Sequence, residues 1–188
     1  MKKPTNNIEK NLQAIRARID SAARDAGRNA DSIRLLAVSK KKPASDIRKT
    51  YACGQIDFGE NYLQEALQKM QELEDLNIRW HFIGAIQSNK TRSIAESFDW
   101  VHCIDRLKIA RRLSEQRPAG REALNACIQI NLDDEDSKAG IDLAELPELA
   151  MAMADLPGIR LRGLMTIPAP REEFDAQCHA FARMADAL

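Results

Sequence analysis

The chain has 188 residues, and its 28 lysines and arginines are balanced by 28 aspartates and glutamates, so the formal charge is zero. This balance is not typical of proteins that bind nucleic acid or an anionic membrane surface, and we exclude both kinds of partner. The length fits a single domain, predicted to span residues 1–188, with enough sequence to bury a substantial apolar core.

The start of the chain and its cysteines predict a cytoplasmic protein. Residues 1–10 are polar and lack the apolar stretch of a signal peptide, and no apolar run is long enough to span a bilayer. The four cysteines are scattered singly, without the close pairs that structural zinc or redox motifs require. We therefore expect reduced, packed thiols and no metal site.

Six predicted strands alternate with helices along the chain. An apolar helical stripe covers 8–26 and ends at Gly27, and Pro43 is predicted to begin a helix that reaches Ala52. Asp105 is predicted to cap the helix at 106–117. The predicted strands cover 33–39, 56–58, 79–83, 100–104, 125–132 and 159–167, and further helices cover 62–76, the segment that ends at 98, 147–156 and the segment that ends at 188.

This alternation favours a parallel sheet, either closed as a barrel or doubly wound. The turn after the first predicted strand, residues 39–43, contains no glycine, so the glycine-rich phosphate turn of dinucleotide-binding folds is missing. A complete eightfold barrel needs about 250 residues. The fold class is therefore predicted to be α/β, with a barrel-like parallel repeat of which about six of eight units are present.

Lys40 directly follows the first predicted strand, which reads as buried on both faces. In parallel α/β folds the chemistry gathers at the carboxyl ends of strands, so one interpretation is a lysine that captures an aldehyde as a Schiff base. The other interpretation is a solvated basic turn, formed by Lys40, Lys41 and Lys42, that begins a helix. The residue pattern by itself favours the solvated turn.

Polar side chains also follow the other predicted strands, whereas the strand interiors are mostly apolar. This asymmetry favours a single site at one rim, without identifying its ligand. The residues at the strand ends are Lys40, Glu60 and Asn61, Gln87 to Lys90, Asp105, Asn131 with Ser137 and Lys138, and Met165 with Thr166.

Several of these polar residues have ordinary structural interpretations. His81 lies inside an apolar strand and is predicted to be a satisfied interior histidine, and Glu60 is predicted to be a capping or supporting carboxylate. The acidic run Asp133 to Asp136 is contiguous, whereas cation ligands are spaced, so we expect a solvated loop there.

Five blocks in the sequence, taken in order, resemble one family. They closely resemble the YggS/PROSC family of pyridoxal 5'-phosphate homeostasis proteins over nearly the whole chain, which favours the aldehyde-binding interpretation of Lys40. The blocks are Leu36-Ala37-Val38-Ser39-Lys40, Phe58-Gly59-Glu60-Asn61-Tyr62, Trp80-His81-Phe82-Ile83-Gly84 with Gln87-Ser88-Asn89-Lys90, Ser137-Lys138-Ala139-Gly140, and Gly163-Leu164-Met165 with Ile167-Pro168.

The resemblance implies a barrel like the N-terminal domain of alanine racemase, with pyridoxal 5'-phosphate (PLP) held as a Schiff base on Lys40. It implies that Asn61 and Met165 lie near the cofactor ring and that Lys138 and Lys42 take part in cofactor exchange. It also implies a carrier without established turnover, monomeric at full length, that passes PLP to PLP-dependent apo-enzymes.

Family members normally continue into a Gly-Met-Ser block and an Arg-x-Gly-Thr block that supply most of the phosphate-binding loop. Neither block is in this sequence, so we expect the domain to be incomplete at its C-terminus and to hold phosphate less firmly. The alternatives are a PLP-dependent racemase-like enzyme, a non-functional fragment without the phosphate site, and an aldolase-type barrel. Racemisation needs a second base, which related racemases take from a further domain and a partner subunit.

Overall fold

The computed structural model describes residues 8–133 and 139–188. Seven α-helices alternate with six strands in the described residues, as the sequence predicts. The strands are β1 (Ala37–Val38), β2 (Asp57–Glu60), β3 (Arg79–Phe82), β4 (Trp100–Ile104), β5 (Leu124–Gln129) and β6 (Ile159–Met165). The helices are α1 (Ile8–Asp25), α2 (Ala44–Ala52), α3 (Leu63–Glu72), α4 (Thr91–Ser97), α5 (Leu107–Glu115), α6 (Leu146–Ala154) and α7 (Phe174–Asp186).

The strands form one sheet in the order of the chain, β1-β2-β3-β4-β5-β6. Strand β1 runs parallel to β2, and β3, β4, β5 and β6 run parallel to one another. A doubly wound sheet reverses its strand order at a switch point, and this sheet does not. The predicted barrel-like parallel repeat of six units is therefore confirmed.

Residue contacts divide the chain into two compact units. Among the described residues, the first unit takes in the chain up to Gly59 together with Gln64–Arg79. The second unit takes in Glu60–Leu63 and Trp80–Leu188.

In the first unit, helix α1 buries Leu12 and Ala23, and Gly27 adopts φ 64° just beyond its end, as the sequence predicts. The predicted strand at 33–39 is wrong in its length, because β1 covers only two residues. The Gln55 side chain donates to the Leu35 carbonyl oxygen at 2.7 Å, so that carbonyl is satisfied outside any strand ladder. The prediction of burial on both faces is also wrong, since Val38 is 51% exposed.

The second unit has its core between the sheet and its helices. Phe82 and Phe98 are buried there and meet edge to face, with ring centroids 5.2 Å apart. The predicted cap of α5 is wrong: Arg106 occupies the N-cap position, and the Asp105 carboxylate pairs with the Arg106 guanidinium at 2.9 Å. Side chains with less than 1% exposure in this core are Ile94, Ala95, Phe98, Val101, Ile104, Ile109, Ala110, Leu113, Leu124, Ala126, Ile128 and Met153.

All four cysteines are free in the described chain. The prediction of packed thiols is confirmed for the buried Cys103 and Cys127, and it is wrong for Cys178, which is exposed on α7. Among the described helices, none is both long enough and apolar enough to cross a bilayer.

Candidate functional site

Lys40 lies in a tight turn between β1 and α2, at the carboxyl end of its strand as predicted. The buried Ser39 donates its N–H to the Gly59 carbonyl oxygen at 2.9 Å, which continues the β1–β2 pairing. The Lys42 N–H donates to the Ser39 carbonyl oxygen at 3.0 Å and closes the turn. Lys40 and Lys42 are both exposed, and this exposure fits either interpretation of the turn.

Helix α3 holds this turn through two residues that the sequence analysis missed. The Lys69 ammonium, whose side chain is only 6% exposed, donates to the Ser39 carbonyl oxygen at 2.8 Å and to Glu65 Oε1 at 2.6 Å. The Lys41 N–H donates to the same Glu65 oxygen at 2.6 Å. The Lys69 hydrogen bond, followed by the Lys41 hydrogen bond, lowers the pKa of Glu65 below its usual 4.5, although burial acts in the opposite direction.

In the second unit, Asn61 directly follows β2. Glu60 is fully buried, and its carbonyl oxygen accepts the Ile83 N–H at 2.9 Å. Gly84 passes so close that an added Cβ would lie 2.3 Å from the Asn61 carbonyl oxygen. The Asn61 side-chain oxygen is buried without a hydrogen-bond partner among the described atoms, which leaves an acceptor open to a ligand.

Met165 is the last residue of β6 and lies where β5 and β6 end. Its carbonyl oxygen accepts the Ile130 N–H at 2.8 Å, and the Thr166 hydroxyl donates to the Ile130 carbonyl oxygen at 3.0 Å. Gly140 adopts φ 130°, and a Cβ there would lie 2.6 Å from the Asn131 nitrogen. Position 140 therefore requires glycine, because the backbone there has positive φ and lies against the residues that follow β5.

Two sequence predictions concern the loop before Gly140. Lys138 and residues 134–136 of the acidic run lie outside the described residues. Asp133, the described member of that run, accepts the Ala169 N–H at 2.6 Å and pairs with the Arg171 guanidinium. Its carboxylate therefore holds the loop after β6, a role different from the predicted solvated acid.

A cluster of three rings lies on β3 and β4 in the second unit. His81 is buried, and its Nδ1 lies 2.9 Å from His102 Nε2, so it is the satisfied interior histidine that the sequence predicts. Trp100 stacks on both imidazoles, with centroid distances of 5.5 Å to His81 and 5.7 Å to His102. Burial, with a smaller contribution from His81, lowers the pKa of His102 to about 4.

We predict that Gly84→Ala destabilises the protein by about 1–3 kcal/mol, because the new methyl group must push the Asn61 backbone away. Urea unfolding measures the change. Gly120→Ala is the matched control, since nothing lies within 4 Å of a Cβ at that glycine, and we expect a change below about 0.5 kcal/mol. Equal stabilities of the two variants would contradict the close approach.

We also predict a loss of stability in acid that depends on His102. The folded chain binds a proton at His102 only near pH 4, whereas an unfolded histidine binds one near pH 6.5. The unfolded state therefore binds more protons between these values, and stability falls as the pH falls from about 6.5 to 4, by up to about 3 kcal/mol.

Urea unfolding at a series of pH values tests this dependence on the wild-type chain and on His102→Gln, which cannot titrate. The difference in unfolding free energy between the two proteins should shrink as the pH falls through this window. His179→Gln is a suitable control, because His179 is an exposed residue of α7. A constant difference between the wild-type chain and His102→Gln would show that His102 titrates normally.

Comparisons with known proteins agree with this architecture. The family described as "Alanine racemase, N-terminal domain" matches residues 10–188. The chain is similar to the pyridoxal phosphate homeostasis proteins of Pseudomonas aeruginosa and Escherichia coli, at 57% identity over 183 residues and 54% over 186. Each match covers 97% of this chain and 80% of the relative.

Solved structures extend the comparison. PipY of Synechococcus elongatus, in a structure with PLP bound, superposes with a TM-score of 0.80 at 36% identity, over 96% of this chain and 80% of PipY. Alanine racemase of Clostridium difficile shares the fold, with a TM-score of 0.73 at 16% identity, over 98% of this chain and 47% of the racemase. The resemblance of the sequence blocks is confirmed, and the chain belongs to the family of pyridoxal phosphate homeostasis proteins, built on the fold of the alanine racemase N-terminal domain.

Proposed function

We propose that this protein binds PLP reversibly through Lys40 and so takes part in PLP homeostasis. The observation that carries the proposal is the position of Lys40: an exposed primary amine two residues after the end of a parallel strand, on a backbone fixed by hydrogen bonds on both sides. The PLP bound to PipY and the names of the relatives support the choice of ligand.

The residues present fit such a ligand. PLP supplies an aldehyde that condenses with a primary amine with loss of water and is released by the reverse reaction. Lys40 offers that amine in solvent, where water and PLP can both reach it. Asn61 offers a buried oxygen that lacks a donor among the described atoms, as expected of a residue that binds a polar group.

We assign the remaining residues smaller roles. Met165, partly exposed at the end of β6, offers a polarisable thioether that packs well against a flat ring. Lys42 is exposed within the same turn as Lys40 and borders a cavity of about 140 Å³ with Val38 and Asp46. We propose that Lys42, together with Lys138, receives PLP during exchange.

We infer that the protein is a carrier and not an amino-acid racemase. Eight relatives at 47–57% identity are named for PLP homeostasis. Four alanine racemases of similar structure share 13–23% identity with this chain, which supports a common fold alone. We propose that the recipients are PLP-dependent apo-enzymes of the cytoplasm and that the carrier acts as a monomer.

Borohydride reduction of the protein mixed with PLP tests the site. We expect one phosphopyridoxyl group per chain on the peptide that contains Lys40, and loss of that adduct in Lys40→Ala. Lys49→Ala is the matched control, because Lys49 is an exposed lysine of α2 whose ammonium pairs with Asp46. An adduct that maps mainly to any other lysine in the wild-type chain would overturn the assignment.

We further predict no racemisation of alanine above the rate that free PLP gives, because the carrier proposal assigns no second base to the opposite face of the cofactor. Circular dichroism of the amino acid, or a coupled assay for D-alanine, measures the rate. Turnover that exceeds the free-cofactor rate and disappears in Lys40→Ala would establish an enzyme in place of a carrier.

A further inference from the structure

The turn that contains Lys40 has an unfavourable backbone conformation that something in the structure must stabilise. Residues 39–42 are closed by the hydrogen bond from the Lys42 N–H to the Ser39 carbonyl oxygen. Within the turn, Lys41 adopts φ 60° and is the one residue other than glycine with positive φ in the described chain. This left-handed conformation is unfavourable for a side chain with a Cβ and suits glycine or asparagine.

Glu65 stabilises that conformation directly. Its Oε1 accepts the Lys41 N–H at 2.6 Å, so the backbone unit with positive φ is bound to an ionised carboxylate. A hydrogen bond that involves a charged group is among the stronger ones in proteins. The hydrogen bonds from Lys69 and Lys41 hold the pKa of Glu65 below its usual value, so the carboxylate stays ionised at neutral pH.

Lys69 stabilises the other side of the turn. Its ammonium is almost completely buried and donates both to Glu65 Oε1, at 2.6 Å, and to the Ser39 carbonyl oxygen, at 2.8 Å. A buried ammonium needs such partners, because a charge removed from water without them is strongly unfavourable. The residue before Lys40 and the residue after it are therefore both fixed to one ion pair on α3.

We propose that Glu65 and Lys69 are positioning residues that select Lys40, among three consecutive lysines, as the amine that binds PLP. This inference rests on the proposed function of Lys40. The side chains of Lys40, Lys41 and Lys42 are all exposed, and the ion pair fixes the backbone on both sides of Lys40. The Glu65 carboxylate of the pair also accepts a hydrogen bond from the Lys41 N–H. Without the pair, the turn relaxes from the positive φ, and all three lysines then compete for the aldehyde.

The first test measures which lysine reacts. Wild-type protein, Glu65→Gln and Lys69→Met are each mixed with PLP and reduced with borohydride, and peptide mass mapping then gives the share of adduct on Lys40, Lys41 and Lys42. We expect at least about tenfold preference for Lys40 in the wild-type chain, and a preference reduced about tenfold or more in both variants, in line with the strength of a hydrogen bond to a charged group.

The control is Glu72→Gln, which makes the same chemical change on the same helix. Glu72 is exposed, and its side chain accepts a hydrogen bond from Gln68 at 3.0 Å. We expect this variant to keep the wild-type distribution of adduct. Lys69→Arg retains the positive charge and is expected to recover part of the preference for Lys40 that Lys69→Met loses.

The second test does not involve PLP. Amide hydrogen exchange of Lys41 reports its hydrogen bond to Glu65, and we expect exchange at least about tenfold faster in Glu65→Gln than in the wild-type chain or Glu72→Gln. This measurement separates a released turn from a general loss of stability, because global unfolding would also accelerate the exchange of the buried amide of Ile94 on α4.

The outcomes separate the two proposals. The positioning role would be overturned, and the proposed function left intact, if the wild-type chain forms its adduct on Lys40, both folded variants keep that preference, and Lys41 exchange in Glu65→Gln is unchanged. A wild-type chain without an adduct on Lys40 would overturn the proposed function and, with it, the selection of Lys40.

Discussion

The buried ammonium of Lys69 imposes a requirement that shapes the first unit around Lys40. It must be neutralised and hydrogen-bonded, and the Glu65 carboxylate and the Ser39 carbonyl oxygen meet that need at 2.6 and 2.8 Å. Because the same carboxylate accepts the Lys41 N–H, one ion pair joins helix α3 to both sides of the β1–α2 turn. Lys40 thus combines a fixed backbone with a solvated side chain, which suits an amine that must take up and release a ligand.

Much of the fold could be predicted from the sequence, because strands and helices in a parallel repeat differ in apolar period and are separated by turn residues. Strand β4 has the predicted bounds, Trp100–Ile104. The largest error lies at the first strand, because the predicted strand begins at residue 33, before the hydrogen-bonded ladder of β1, Ala37–Val38. The Gln55 side-chain amide donates a hydrogen bond of 2.7 Å to the Leu35 carbonyl oxygen. A local sequence pattern cannot reveal a hydrogen-bond partner that lies twenty residues away.

The positions of the proposed site residues in the fold were predictable to a similar extent. A strand end can be located from the sequence, so Lys40, Asn61 and Met165 were found at the ends of β1, β2 and β6. The ion pair of Glu65 and Lys69 was missed, although its spacing of four residues on a helix is visible in the sequence. That spacing usually marks an exposed pair. Only the fold brings Lys69 to the carbonyl oxygen of Ser39, thirty residues earlier.

The glycines of the sequence blocks add a different kind of information. A Cβ added at Gly84 would lie 2.3 Å from the Asn61 carbonyl oxygen, and a Cβ added at Gly140 would lie 2.6 Å from the Asn131 nitrogen. Both contacts join backbone to backbone, so neither neighbour can yield by a change of rotamer. These glycines therefore allow the close backbone packing beside Asn61 and Asn131 in the second unit. Two of the five sequence blocks thus contain a glycine that backbone packing requires, Gly84 and Gly140, whereas the chemistry proposed for the family depends on one amine, that of Lys40.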